Sequence, residues 1–381
     1  MLIAEILFWI FVSLVFYVYG GYYLLLKFLT LFKRKSEKKA SEEIDLKSIS
    51  IVITVHNEEK LIERRIQNCL ALDYPQDRLQ IVVASDGSTD RTNAIVQELA
   101  KKYPNIKLHP VMPQRGRAFT LNSVIDIIQT DLVLFTDANT IFNKDYLMQI
   151  MPEFNDPRVG CVSGQLTYEN FKNNTITENE SFYWKLETKM RELETQLGIC
   201  TSISGCNFTI KKQLYTPILL AYEIDDIYPY RTVKAGLKVR YKKQARVIED
   251  SPETLSHQLY ARERIVIQGW PGIFSEVKNV YFLKNPGYLF SVISHRFLRW
   301  LSPFFLIGAF VANLFLLQTL VYQFLLAMQI IFMSIGLVGW FCSKYQKKVK
   351  IIGSLFAFYI ANIGFFFGIT KLIGNVRMQK Y

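Results

Sequence analysis

Two acids hold the residues best placed for chemistry. Asp86 stands in Val83-Ala84-Ser85-Asp86-Gly87-Ser88-Thr89-Asp90, and Asp137 in Leu132-Val133-Leu134-Phe135-Thr136-Asp137-Ala138-Asn139. Each follows an apolar run that reads as a buried strand. Open α/β sheets bind ligands at the carboxyl ends of their strands. Two carboxylates at two such ends can grip a nucleotide and a divalent cation in one crevice.

The elements that must position these acids alternate along the chain. Residues 49–55 are a β-branched run, 58–70 carry apolar residues at helical spacing, and 79–84 are a second apolar run. Residues 89–102 form a second amphipathic stretch, 106–110 a short strand, 118–129 a helix and 132–136 a fourth strand. This order predicts an α/β, Rossmann-like domain with a mostly parallel sheet covered by helices. No Gly-x-Gly-x-x-Gly follows the first strand, which disfavours a dinucleotide dehydrogenase.

Of the 381 residues, 50% are apolar and 20% charged, and the apolar ones are clustered. Residues 6–32 carry one internal charge, Lys27, and are long enough to cross a bilayer core of about 30 Å. A signal peptide fits less well, because the apolar stretch is too long and lacks a basic start and a small-residue cleavage site. Three more apolar stretches cover 297–317, 320–342 and 351–373. Lys33-Arg34-Lys35 and the loop from Lys344 to Lys350 are basic, so both are expected on the cytosolic side. The middle domain, about 34–280, is then expected to be cytosolic and the protein multi-pass in the cell membrane. Four spans put the C-terminal tail outside, although Lys371, Arg377 and Lys380 fit that side poorly. The expected segments are a membrane helix at 1–32, a charged linker at 33–47, a catalytic domain at 48–270, interfacial helices at 271–296 and a membrane region of about three helices at 297–381.

The formal charge of +12 suits anionic lipid and a phosphorylated substrate; no nucleic-acid-binding motif accompanies it. Cys69, Cys161, Cys200, Cys206 and Cys342 show neither disulfide nor metal spacing and fit a reducing compartment. The sequons at Asn173, Asn179 and Asn207 are then chance matches.

Between Ser50 and Trp270 the order of motifs resembles a membrane-bound family 2 glycosyltransferase with a GT-A catalytic domain. His56-Asn57-Glu58-Glu59 resembles the family's Asn-Glu-Glu opening, which implies that Glu58 helps hold the nucleotide; a helix cap with acids in the first turn is the alternative. Ser85-Asp86-Gly87-Ser88-Thr89-Asp90 resembles the next motif and gives Asp86 the base. Arg115-Gly116-Arg117-Ala118-Phe119-Thr120-Leu121-Asn122 resembles the Gly-Lys-Ala segment, with Arg117 where Lys is usual, to contact the diphosphate or the base-binding acid. Thr136-Asp137-Ala138-Asn139 resembles the DxD motif. Asp137 and Asn139 are expected to face one Mg²⁺ or Mn²⁺, with Asn139 offering an oxygen but no charge.

Trp184, Gly205 and Cys206 fall where the family shapes its sugar and acceptor pocket, and Gly205 allows close backbone approach. Glu223-Ile224-Asp225-Asp226 resembles the segment with the catalytic base. Ungapped alignment on Pro229, Arg231 and Gly236 selects Asp225, whereas matching the acidic pair selects Asp226. The same register puts Arg264 on the Arg of Gln-x-x-Arg-Trp, to steady the leaving diphosphate. Ala261 and Ile265 replace the Gln and Trp, which weakens the case for a processive polysaccharide synthase.

The resemblance implies inverting transfer from a nucleoside-diphosphate sugar, UDP-linked by expectation, to a hydroxyl on a lipid-linked or glycan acceptor. Its partners are the donor, the acceptor, the bilayer and proteins of a biosynthetic complex, and nucleic acid is not among them. Three other readings stay open: a processive synthase, a polyprenyl-phosphate sugar transferase, and a non-catalytic nucleotide-sugar-binding subunit.

Overall fold

The computed structural model describes residues 1–33, 44–168, 175–219, 222–249, 255–277, 285–344 and 350–374. Most of the charged linker, the centre of the basic loop before residue 350, and Arg377 and Lys380 lie outside them. The Asn173 sequon begins outside them too.

Eight strands form one sheet in the order β3-β2-β1-β4-β7-β6-β8-β5. They are β1 (Ile49–Val55), β2 (Leu79–Asp86), β3 (Ile106–Val111), β4 (Leu132–Asp137), β5 (Thr140–Phe142), β6 (Val159–Tyr168), β7 (Phe208–Lys211) and β8 (Lys238–Glu249). The first four strands pair in parallel. The other half is mixed, with β7 antiparallel to both β4 and β6, and β6 parallel to β8.

The central strands are buried on both faces, which is why they read as continuous apolar runs. Along β1, Ile49, Ile51, Ile53 and Val55 enter one core, while Val52 enters the other. Each such side chain contributes about 1.5–3 kcal/mol by leaving water. After β1 the chain steps outward to β2 and β3, then crosses back to lay β4 on the other side of β1. That reversal opens a crevice at the carboxyl ends of β1 and β4.

The helices begin with α1 (Leu2–Leu31). Around the first half of the sheet lie α2 (Ile62–Leu70), α3 (Thr92–Lys102) and α4 (Arg117–Val124). The helix expected from residue 58 starts later, because Asn57 takes a positive φ of 55° and residues 58–61 form a turn. Next come α5 (Tyr146–Ile150), α6 (Thr175–Leu197), α7 (Ile224–Lys234) and α8 (Leu255–Val277). The chain ends with α9 (Pro286–Leu314), α10 (Leu320–Lys344) and α11 (Lys350–Ile373).

Among the described residues, four helices are long and apolar enough to cross a membrane: α1, α9, α10 and the Leu355–Ile373 part of α11. Polar side chains join them inside. Tyr19 Oη meets Ser302 Oγ at 2.9 Å and donates to Asn362 Oδ1 at 3.0 Å, linking α1, α9 and α11.

The end of α11 packs on α8. Lys371 pairs with Glu263 of α8, and Gly364 and Gly368 lie directly against Arg262 and Val266 of the same helix. This places the end of α11 on the sheet side. Phe8, Ala312, Leu316 and Tyr322 cluster at the opposite end of the bundle.

Candidate active site

The crevice gathers residues from three strand ends. Asp86 ends β2 and is buried at 1% exposure. Its Oδ1 accepts the Arg115 main-chain N–H at 2.7 Å and its Oδ2 accepts that of Gly116 at 2.8 Å. The carboxylate expected to meet a base thus also shapes the loop ahead of α4. Gly87 makes the turn possible: its φ is +69°, and a Cβ there would come within 2.5 Å of the Gln114 nitrogen.

On the neighbouring β1 end, Asn57 Oδ1 accepts the Thr89 N–H at 2.8 Å, and the Glu58 N–H donates to Thr92 Oγ1 at 2.8 Å. Burial, with Asp90 and Asp137 nearby, pushes the Glu58 carboxyl up. Asn57 therefore ties two loops together rather than capping a helix.

Arg117 opens α4 and reaches across the crevice. Its Nη2 lies 2.7 Å from Asp137 Oδ1 and 3.5 Å from the Gly205 carbonyl oxygen. The contact between this segment and Asp86 is made by the main chain of residues 115 and 116, while the Arg117 guanidinium serves Asp137. Beneath Asp137 lies Arg65, fully buried. It donates to the Asp137 carbonyl at 3.2 Å, to Thr136 Oγ1 at 2.9 Å and to Asn68 Oδ1 at 2.6 Å, and it stacks 4.1 Å over the Phe142 ring. Sequence reasoning missed Arg65, which looks like a surface charge in Ile62-Glu63-Arg64-Arg65.

Asn139 donates its amide to Glu249 Oε1 at 2.9 Å. Glu249 ends β8 and was also missed; the sequence signal was Asn139 itself, uncharged where a second acid was expected. Burial pushes the Glu249 carboxyl up to about 7, and Asp137 adds to the rise. Cys206 lies beside this group, 5% exposed, with Sγ 3.3 Å from Ser204 Oγ and its thiol pushed up by burial.

The oxygens of Asp137 and Asn139 suit a hard cation that keeps water and takes phosphate oxygens. With the Asn139 amide nitrogen committed to Glu249, its oxygen is the atom left to ligate. Among the described residues no cluster of three or more His, Cys, Asp or Glu could hold a metal. The set therefore fits a cation completed by its substrate, not an all-protein cage.

Across the crevice, Glu223 and Asp225 begin α7. Asp225 lies over Gly205, where a Cβ would stand 3.1 Å from its Cγ. Glu223 is 3.9 Å from Arg264 Nε, and burial pushes its carboxyl up while Arg117 and Arg264 pull it down. Asp226 points elsewhere: it is 4% exposed, its Oδ1 is 3.3 Å from Arg296 Nη2, and burial pushes it up to about 7. Trp184 lies on α6, and its side chain is outside the described residues. The structure thus brings Glu58, Arg117, Asp137, Asn139, Gly205, Cys206, Asp225 and Arg264 around one crevice. Asp86 sits in its wall and Asp226 faces away.

This fold is that of a GT-A glycosyltransferase. Residues 50–216 match the model of Glycosyl transferase family 2. It is 25% identical over 333 residues to "Probable glycosyltransferase YdaM" of Bacillus subtilis, spanning 84% of this chain and 78% of that protein. It is 28% identical over 167 residues to a beta-monoglucosyldiacylglycerol synthase of Nostoc, spanning 43% of this chain and 36% of the synthase. A poly-beta-1,6-N-acetyl-D-glucosamine synthase of Staphylococcus aureus is 27% identical over 226 residues, 57% of this chain and 54% of the synthase. The solved mannosyltransferase PcManGT from Pyrobaculum calidifontis, in complex with GDP-Man and Mn²⁺, shares the fold with a TM-score of 0.73 at 19% identity, covering 97% of this chain and all of that one.

Proposed function

We propose that the protein transfers a sugar, with inversion, from a UDP-sugar to a hydroxyl of a lipid-linked or glycan acceptor at the cytosolic face of the cell membrane. The observation that carries this reading is the separation of two adjacent acids. Asp225 lies against Gly205, whose carbonyl oxygen is 3.5 Å from Arg117 Nη2, while Asp226 is closed off against Arg296.

Asp225 is the general base. It takes the acceptor hydroxyl proton as that oxygen bonds to the anomeric carbon. The bond from that carbon to the phosphate oxygen breaks, and the nucleoside diphosphate leaves beside Arg264 and Arg117. Asp137 and Asn139 hold Mg²⁺ or Mn²⁺, which supplies positive charge to the diphosphate. Glu58 and the Asp86 loop cradle the nucleoside; a base contact to Asp86 uses the lone pairs left by Arg115 and Gly116. Gly205, Cys206 and Trp184 line the sugar and acceptor side. The catalytic unit is residues 48–270, and its membrane helices keep it beside lipid-borne acceptors. The absence of Gln and Trp at residues 261 and 265 favours limited transfer over processive synthesis.

The test is nucleoside-diphosphate release by full-length protein in nanodiscs containing diacylglycerol. UDP-glucose, UDP-galactose, UDP-N-acetylglucosamine and GDP-mannose are compared with Mg²⁺, Mn²⁺ or chelator. Metal-dependent release from one UDP-sugar, lost in Asp137→Ala and Asp225→Asn, is expected. Release that survives Asp225→Asn but not Asp226→Asn overturns the assignment of the base. UDP binding without turnover of any donor favours a binding subunit.

A further inference from the structure

Asp225 and Asp226 are successive residues in the first turn of α7, so their side chains diverge by about 100°. Both need room against a neighbouring backbone, and a glycine supplies it each time. Gly205 admits Asp225. Gly269 of α8 admits Asp226, since a Cβ there would come within 2.7 Å of Asp226 Oδ2.

The first turn of α7 packs into the core through Ile224, but its polar restraints are few. Glu223 at the N-cap makes no side-chain cap hydrogen bond. Pro229 lies inside the helix and has no N–H, so the Asp225 carbonyl lacks its usual helical donor four residues on. A further restraint on this turn is the buried ion pair from Asp226 to Arg296, with side-chain exposures of 6% and 13%.

Arg296 is itself firmly seated. It lies in a π-helical segment, Ile293–Phe297, inside α9. Its neighbour His295 is wedged between two acids of α6, with Nδ1 2.7 Å from Glu194 Oε1 and Nε2 3.0 Å from Glu187 Oε2. Arg299, one turn further on, is 2.6 Å from Glu187 Oε2. Tyr22 of α1 donates to Glu194 Oε1 at 2.8 Å, and Ser291 does so at 3.0 Å. A local widening of α9 thus presents His295 to α6 and Arg296 to α7 from consecutive positions.

We propose that Arg296 and Asp226 are a positioning pair, through which the membrane helix α9 aims Asp225 at the acceptor hydroxyl. This rests on Asp225 being the base, as proposed above. The pair acts on the placement of that carboxylate and makes no contact with the donor.

Full-length protein in nanodiscs, with the UDP-sugar that gives turnover, tests this in five variants. They are Arg296→Gln, Arg296→Lys, Asp226→Asn, the doubly neutral Asp226→Asn/Arg296→Gln, and Asp225→Asn. Transfer kcat, donor KM and UDP binding by calorimetry are measured for each. The doubly neutral variant leaves no unpaired buried charge, so it keeps the test valid if the single variants unfold.

Arg296→Gln and the double variant are expected to lose about 10–100-fold in kcat, with donor KM and UDP affinity within about threefold of wild type. Arg296→Lys should recover most of the loss by restoring a cation. Wild-type kcat in the double variant overturns the proposal. So does a parallel loss of kcat and UDP binding, which marks a merely structural pair. An inactive Asp226→Asn beside a near-wild-type Arg296→Gln makes Asp226 the base. An active Asp225→Asn defeats the underlying assignment whatever Arg296 does.

Discussion

Arg117 Nη2 and Asp137 Oδ1 are 2.7 Å apart, joining the start of α4 to the end of β4 across the crevice. The pair is one-quarter to one-third exposed, so its attraction is worth at most about 1 kcal/mol. It nevertheless occupies an oxygen proposed for the cation. Arg117→Ala is expected to tighten Mn²⁺ binding by up to about fivefold in donor-free protein, while raising donor KM. Calorimetric titration with Mn²⁺ checks the first effect and initial rates the second. Unchanged Mn²⁺ affinity shows that the guanidinium does not compete with the cation.

Glu249 gives a pH signature in stability. Burial raises its folded pKa to about 7 from a reference value of 4.5, so the folded state keeps a proton that the unfolded chain has already lost. Stability must therefore fall as pH rises from about 4.5 to about 7, by on the order of 2–3 kcal/mol. Glu249→Gln keeps an acceptor for the Asn139 amide and removes the ionisation. In chelator, its melting temperature should exceed wild type at pH 8 and match it near pH 5. An equal shift at both values would assign the effect to packing.

Arg65 is the floor of the Asp137 turn. Its guanidinium spreads over three oxygen acceptors and an aromatic ring, a pattern that the point charge of lysine does not reproduce. Arg65→Lys should cost about 2–3 kcal/mol, and Arg65→Met at least as much, because buried acceptors lose their donors. Thermal melts in nanodiscs measure this. A loss below about 0.5 kcal/mol in either variant contradicts the role.

Gly205 sets the distance between the main chain and Asp225. A methyl group 3.1 Å from the Asp225 Cγ forces the carboxylate outward by a few tenths of an ångström. Gly205→Ala is expected to lower transfer kcat about tenfold with small change in donor KM. A rise in KM at constant kcat instead would place the glycine under the donor.

The parallel half of the sheet was legible because doubly buried strands spell continuous apolar runs, and Asp86 and Asp137 end two of them. The far end of β8 was not, and Glu249 there passed unseen. Arg240 and Lys242 are in fact tied to Glu153 by ion pairs of 2.6 and 2.8 Å. Arg296 escaped notice because a cation beside an apolar stretch reads as a lipid-headgroup contact. Its buried acid partner comes from a helix 70 residues earlier. The seat of Gly364 and Gly368 on α8 is a tertiary contact that the local sequence does not spell.

The His295 segment has an electrostatic corollary. Burial alone opposes ionisation of Glu187, yet His295, Arg191 and Arg299 hold its carboxyl well below the usual range. Two of those three cations, and the Arg296 partner of Asp226, arrive from a helix suited to lipid. A catalytic unit severed from that helix keeps its acids and Arg191 but loses the other counter-charges. Sheet domain and anchor thus form one electrostatic unit: swapping in a foreign anchor would have to bring matching cations at the same turns of the helix.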